Sequence, residues 1–179
     1  MNMIKKIKIK LTILLLGNKK RYKNISLKDV KTVLLSPKDA LGDTLISFSH
    51  ARQLKKMYPS AKIGIVSTER NKNFIELVNR KEKVVDEIVD RKKIIKQRKK
   101  WDLLLDFKDQ INTKRLIWTK LLAPKIIISF GKDKEGHYFN RKNIKIYDFV
   151  TVTPINSHIV DYLMYSELAK YFKIFNYNH

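Results

Sequence analysis

Thr32-Val33-Leu34-Leu35-Ser36-Pro37-Lys38-Asp39-Ala40-Leu41-Gly42-Asp43 joins a short, apolar, β-prone run to a helical pattern. Downstream, Leu45, Phe48, Ala51, Leu54 and Tyr58 recur at helical spacing until Pro59 stops the helix. A strand, a tight glycine-containing turn and a helix with an acid in its first turn form a corner of an α/β sheet. Ligands in such folds bind beyond the carboxyl ends of the strands. Asp43 is therefore the first candidate for chemistry. Gly42 gives the backbone room to approach a ligand or to adopt positive φ.

The same alternation continues along the chain. Strands are expected at 32–36, 62–67, 84–89, 103–106, 125–129 and 145–150, with helices at 44–58, 71–78, 92–99 and 113–122. Such alternation indicates βαβ units wound right-handed into a mostly parallel sheet. The runs Ile63-Gly64-Ile65-Val66 and Ile126-Ile127-Ile128 lack polar alternation, as strands covered on both faces do. A last helix is expected at 158–172, with Ser157 as its N-cap. No repeat or Pro/Gly/Ser linker divides the chain. The expected fold is a Rossmann-like α/β domain over residues 30–179, preceded by a basic amphipathic segment over 1–29.

In that N-terminal segment Ile4, Ile7, Leu11 and Leu14 share one helical face, with Lys5, Lys6, Lys8 and Lys10 crowding the gaps. The run Leu11-Thr12-Ile13-Leu14-Leu15-Leu16 is far short of the about 20 apolar residues that cross a bilayer. It has no small-residue cleavage site either, so a secretory signal is not expected. Two readings stay open: a helix lying in the headgroup region of an anionic membrane, or one packed on the domain's own surface.

Composition sets further bounds. With 179 residues, 44% hydrophobic and 10% aromatic, the chain can bury a core and is not wholly disordered. It has no cysteine, which excludes disulfides and thiolate metal sites. Its 39 basic and 17 acidic residues give a formal charge of +22, a field that favours polyanions such as nucleic acid, anionic lipid or phosphorylated substrates. Lysine, isoleucine and asparagine are all frequent, as in chains from AT-rich genomes, and that bias accounts for part of the charge.

Spacing alone leaves Asp43 with two readings. The helix dipole favours a carboxylate in the first turn, and a carboxylate at the mouth of a sheet can take a proton from an attacking hydroxyl. Arg70 and Lys72 follow the second predicted strand onto the same rim, as candidates for acidic groups of a ligand or as solvated loop charges. Lys92, Lys93, Lys96, Arg98, Lys99 and Lys100 read as a solvated helix face or a phosphate grip. Asp106 ends another strand near the rim. The four histidines lack metal-ligand spacing, and Gly131-Lys132-Asp133-Lys134-Glu135-Gly136 lacks that of a phosphate loop. Trp101 and Trp118 flank apolar runs and read as packing.

The stretch 33–44 resembles the opening of family 9 glycosyltransferases, the ADP-heptose:lipopolysaccharide heptosyltransferases: a strand, an acidic residue, Gly-Asp, then a helix running into Lys-Lys-x-Tyr-Pro. Here that helix ends Leu54-Lys55-Lys56-Met57-Tyr58-Pro59. Val84-Val85-Asp86-Glu87-Ile88-Val89 is similar to the family's valine-aspartate segment, and His158-Ile159-Val160-Asp161-Tyr162-Leu163 resembles the helix closing its N-terminal domain. The resemblance implies the N-terminal, acceptor-side half of a GT-B enzyme, which transfers a sugar with inversion and without a metal or other cofactor. Asp43 would be the general base, with Lys38, Asp39, Gly42, Thr44 and Arg70 facing the acceptor. Where many members carry arginine before the first acid, this chain has Lys38, a charge without a bidentate fork.

The implied acceptor is the anionic inner core of lipopolysaccharide at the cytoplasmic face of a Gram-negative inner membrane. The donor, an ADP-heptose-like nucleotide-sugar, would bind a C-terminal domain with no counterpart in this sequence. Two readings follow from the resemblance: a truncated remnant, or half of an enzyme completed by a separate donor-binding chain. In either case the isolated chain is expected to have little or no activity. The alternative is a non-catalytic basic module for nucleic acid or a membrane surface. Against the nucleic-acid version, no RNP segment, helix-turn-helix or zinc spacing appears.

Overall fold

A computed structural model describes residues 3–19, 30–108, 111–130, 139 and 143–151. The helix expected at 158–172 and the loop 131–136 lie outside these residues. The helices are α1 (Met3–Leu16), α2 (Leu41–Met57), α3 (Lys72–Glu82) and α4 (Thr113–Leu122). The strands are β1 (Thr32–Ser36), β2 (Lys62–Ser67), β3 (Glu87–Asp90), β4 (Leu103–Asp106), β5 (Ile126–Phe130) and β6 (Phe149–Thr151). All strand pairings are parallel, and the sheet order is β3-β2-β1-β4-β5-β6. This is the doubly wound order, in which chain direction across the sheet reverses between β1 and β4.

Side chains alternate between the faces with the strand period of two. Val33, Leu35, Ile63, Ile65, Leu103, Leu105, Ile126 and Ile128 pack with Phe48, Ala51 and Leu54 of α2 and Ile75 of α3. Leu34, Val66, Leu104 and Ile127 pack on the other face with Leu116, Trp118 and Leu122 of α4 and with Trp101. Both faces are covered, which is why these strands read as unbroken apolar runs. Both tryptophans are core residues. The Trp101 ring lies against Gly64, where a Cβ would stand only 2.2 Å from its nearest atom.

Several boundaries differ from expectation for identifiable reasons. The helix after β1 starts at Leu41, not residue 44, because the Thr44 N–H already donates to Ala40 O at 3.0 Å. Strand β3 starts three residues late, since the Asn79 side chain holds both the N–H and the carbonyl of Val85 in a turn. At β6, the Lys145 N–H is taken by Gly17 O and the strand shortens to Phe149–Thr151. Helix α3 runs on to Glu82 and ends on left-handed Lys83 (φ 50°). The helix expected at 92–99 is instead a 3₁₀ segment, Arg91–Gln97, broken by non-helical torsions at Lys93.

At the amino edge of the sheet one device recurs three times. Asp86, Asp102 and Asp148 immediately precede β3, β4 and β6. Each donates its own N–H to a carbonyl on the neighbouring strand, of Ile63, Thr32 and Ile127 respectively. Each carboxylate then accepts the N–H of that same residue, at 2.6, 3.0 and 2.7 Å. Lys55, Lys125 and Lys19 pair with the three carboxylates. Burial pushes Asp86 and Asp102 upward, but these hydrogen bonds and cations outweigh it and hold both below the usual carboxylate range.

Helix α1 packs Ile9, Ile13 and Leu16 against the α4 face of the sheet. The Gly17 N–H donates to Ile13 O at 2.8 Å, and a Cβ on Gly17 would press within 2.4 Å of that same oxygen. The apolar face with Ile4, Ile7, Leu11 and Leu14 is exposed, so it is not the face that packs on the domain.

Candidate functional site

The reversal between β1 and β4 opens a crevice at the carboxyl end of the sheet. Its floor is a buried ion pair: Arg115, in the first turn of α4, donates from Nε to Asp106 Oδ2 at 3.0 Å and from Nη2 to the Ser36 hydroxyl at 2.9 Å. The guanidinium lies over the Trp118 ring, 4.2 Å from its centroid. Asp106 is fully buried in this pair, so it braces β4 against α4 and does not present itself on the rim.

Above the floor, Asp39 reaches across the crevice to Lys108 Nζ at 2.6 Å, with Arg91 Nη1 at 3.8 Å from its other oxygen. Burial pushes the Lys108 ammonium down; Asp39 opposes that shift, while Arg115 and Arg91 add to it. Beside this bridge lies a cleft of about 580 Å³ between the ends of β2 and β3. Its cations are Arg70, Lys72, Arg91 and Lys92, and its acids are Asp39, Glu69 and Asp90. Glu69 is paired with Lys92, and the Asp90 side chain caps the 3₁₀ segment by accepting the Lys92 N–H. Arg70 is exposed and has no ion pair with a described residue.

The expected site residues therefore separate. Asp39 and Arg70 share the cleft. Asp43 lies half-buried in the first turn of α2, outside the cleft lining, and its carboxylate makes no hydrogen bond or ion pair with a described residue. Lys38 is half-buried in the turn. Gly42 lies inside the helix, where a Cβ would meet no atom within 4 Å, so neither positive φ nor crowding by the protein requires glycine there. Thr44 turns inward: fully buried, it donates its hydroxyl proton to Ala40 O and accepts from Asn71 Nδ2. It joins the starts of α2 and α3 beneath the rim instead of facing a ligand.

Arg91 and Lys108 belong to the site but escaped notice in the sequence. The signal was available, because each follows the end of a strand by one or two residues, much as Arg70 follows the end of β2 by three. A second hollow of about 260 Å³ lies at the opposite, amino edge, with Lys19, Arg98 and Lys120 around it. Those cations are held by Asp148 and by the carbonyls of Leu121 and Asn18, so they are engaged within the domain. His50 is a core residue stacked on Phe107. Among the described residues no group of three His, Asp or Glu side chains could hold a metal ion, and no helix is long and apolar enough to cross a membrane.

The fold is thus a doubly wound, Rossmann-like α/β domain whose rim carries a cationic cleft and a carboxylate, that of Asp43, with no ion pair among the described residues. Among solved structures it is similar to ADP-heptose lipopolysaccharide heptosyltransferase II of E. coli, a GT-B glycosyltransferase, with a TM-score of 0.54 and 15% identity. That match covers 73% of this chain and 38% of the heptosyltransferase. It is also similar to the protein MT0777, with a TM-score of 0.54 and 12% identity over 79% of this chain and 95% of that one. No protein-family model and no curated protein sequence matches the chain. The likeness is one of fold.

Proposed function

We propose that this chain is the acceptor-side domain of a heptosyltransferase-like glycosyltransferase, with Asp43 as the base that activates the acceptor hydroxyl. The observation that carries the reading is the Asp43 carboxylate, without an ion pair among the described residues, on the rim of the doubly wound sheet and four residues along the chain from Asp39 in the cleft. The likeness in fold to a heptosyltransferase supports it.

In the reaction, the acceptor oxygen bonds to the anomeric carbon as the bond from that carbon to the nucleoside diphosphate breaks. The hydroxyl proton passes to Asp43. Attack opposite the leaving group inverts the centre. Arg70 and Lys72 suit a phosphorylated or carboxylated sugar such as the inner core of lipopolysaccharide, at the cytoplasmic face of a Gram-negative inner membrane. Lys38 and the open space at Gly42 flank the attacking hydroxyl, and Thr44 positions the helix start. The departing diphosphate needs electrostatic stabilisation, which the reading assigns to a second domain that binds an ADP-heptose-like donor.

The test is a transfer assay with membrane acceptor and ADP-, UDP- or GDP-sugars, with and without a complementary donor-binding domain. The expected result is transfer that needs both domains and falls about 10²- to 10⁴-fold in Asp43→Asn with acceptor binding retained. Transfer that is indifferent to Asp43→Asn, or absence of acceptor binding, overturns the proposal.

A further inference from the structure

Helix α1 has two apolar stripes. Ile9, Ile13 and Leu16 pack on the domain. At about 100° per residue, Met3, Ile4, Ile7, Leu11, Leu14 and Leu15 fill an arc of about 120° centred on the opposite side. These are six of the twelve large apolar side chains exposed on the described residues, so exposure is concentrated on one face. Lys6 and Lys10 border this arc on one side and Lys5 and Lys8 on the other. The helix carries no acidic residue.

We propose that this outer face of α1 seats the domain on an anionic lipid surface, lying in the plane of the headgroups with its apolar arc at the acyl-chain boundary. At 14 residues the helix is about 21 Å long, short of the about 30 Å hydrocarbon core, so it lies on the bilayer and does not span it. The charge pattern selects the occupant. Lysine rows on both borders meet anionic headgroups on either side of a buried apolar strip. Pairing with a second copy through the same face would instead bring like-charged rows together, without a carboxylate on either helix to separate them. The inner stripe and the Gly17 closure fix the helix to the domain, so the sheet is held at a set orientation to the surface.

The test uses the full chain with phosphatidylcholine vesicles containing phosphatidylglycerol, and with phosphatidylcholine alone as reference. The triple substitution Ile7→Ser, Leu11→Ser and Leu14→Ser leaves net charge and the inner stripe untouched. It is expected to weaken binding to the anionic vesicles by at least about tenfold. Leu77→Ser, an equally exposed leucine on α3, is expected to leave binding unchanged. Because the chain has no cysteine, an environment-sensitive dye can be placed singly through Leu11→Cys or Leu77→Cys. Its emission is expected to shift to the blue on vesicles only for Leu11→Cys. Undiminished binding by the triple variant would assign attachment to bulk charge and overturn the proposal. So would an unshifted dye at Leu11→Cys, or a solution dimer that the triple variant converts to monomer without any vesicle binding in the parent. None of these readouts involves Asp43 or sugar transfer.

Discussion

Asp39 and Lys108, 69 residues apart in sequence, meet at 2.6 Å across the crevice between β1 and β4. The bridge occupies the place where a doubly wound sheet receives ligands. It also sets the charge of the rim, because Asp39 offsets both Lys108 and Arg91.

Removing that carboxylate should therefore make the rim a better anion site. Asp39→Asn is expected to tighten binding of a phosphorylated saccharide severalfold, with a salt dependence steeper than that of the parent. Arg70→Gln should weaken it. Because Asp39 is well exposed, the stability cost should stay under about 1 kcal/mol. Titration calorimetry at two ionic strengths measures the affinities, and weaker binding by Asp39→Asn would show that Asp39 contacts the ligand itself.

His50 should make stability fall with acid. Burial lowers its pKa from 6.5 to about 4. The unfolded chain therefore takes up a proton below about pH 6.5, while the folded chain resists until about pH 4. Stability from this group is complete above pH 6.5, declines through that window and is lost below it, for a total of about 3 kcal/mol. His50→Phe keeps a ring stacked against Phe107 and should flatten this part of the profile. Urea unfolding across the window is the measurement, and an unchanged slope in His50→Phe would remove His50 as its source.

The contact between Gly64 and Trp101 should be intolerant of one methyl group. Gly64→Ala is expected to cost about 1–3 kcal/mol through overpacking. Trp101→Phe leaves a void of its own but removes the ring atoms in the way, so the double variant should be more stable than the sum of the single effects implies. Thermal melts of the four proteins close the cycle. Additive costs would mean that the sheet shifts locally to accept the methyl.

The strands were legible in the sequence wherever burial on both faces produced an unbroken apolar run, as in Ile63-Gly64-Ile65-Val66 and Ile126-Ile127-Ile128. The rim turn after β1 was legible for a different reason, since strand and helix periods meet there. Where side chains compete for backbone groups, pattern reading failed: Asn79 captures Val85 and delays β3. In α1 the apolar spacing was read correctly but assigned to one face, because a helix with two apolar stripes gives the same local signal as a helix with one. Thr44 lay in the right motif with the wrong orientation, because its partner Asn71 is 27 residues away. The Asp39–Lys108 bridge depends on sheet order, which no local window contains.

The three aspartates at the amino edge have a further consequence for how the chain finds its pairing. A one-residue slip in any of those strands would carry the carboxylate about 3.3 Å from the N–H it binds. The same slip would turn every apolar side chain of the strand to the opposite face. The two penalties arrive together, one polar and one apolar. Asp86, Asp102 and Asp148 thus act as index marks, each favouring the aligned neighbour independently of the helices that enforce the same alignment.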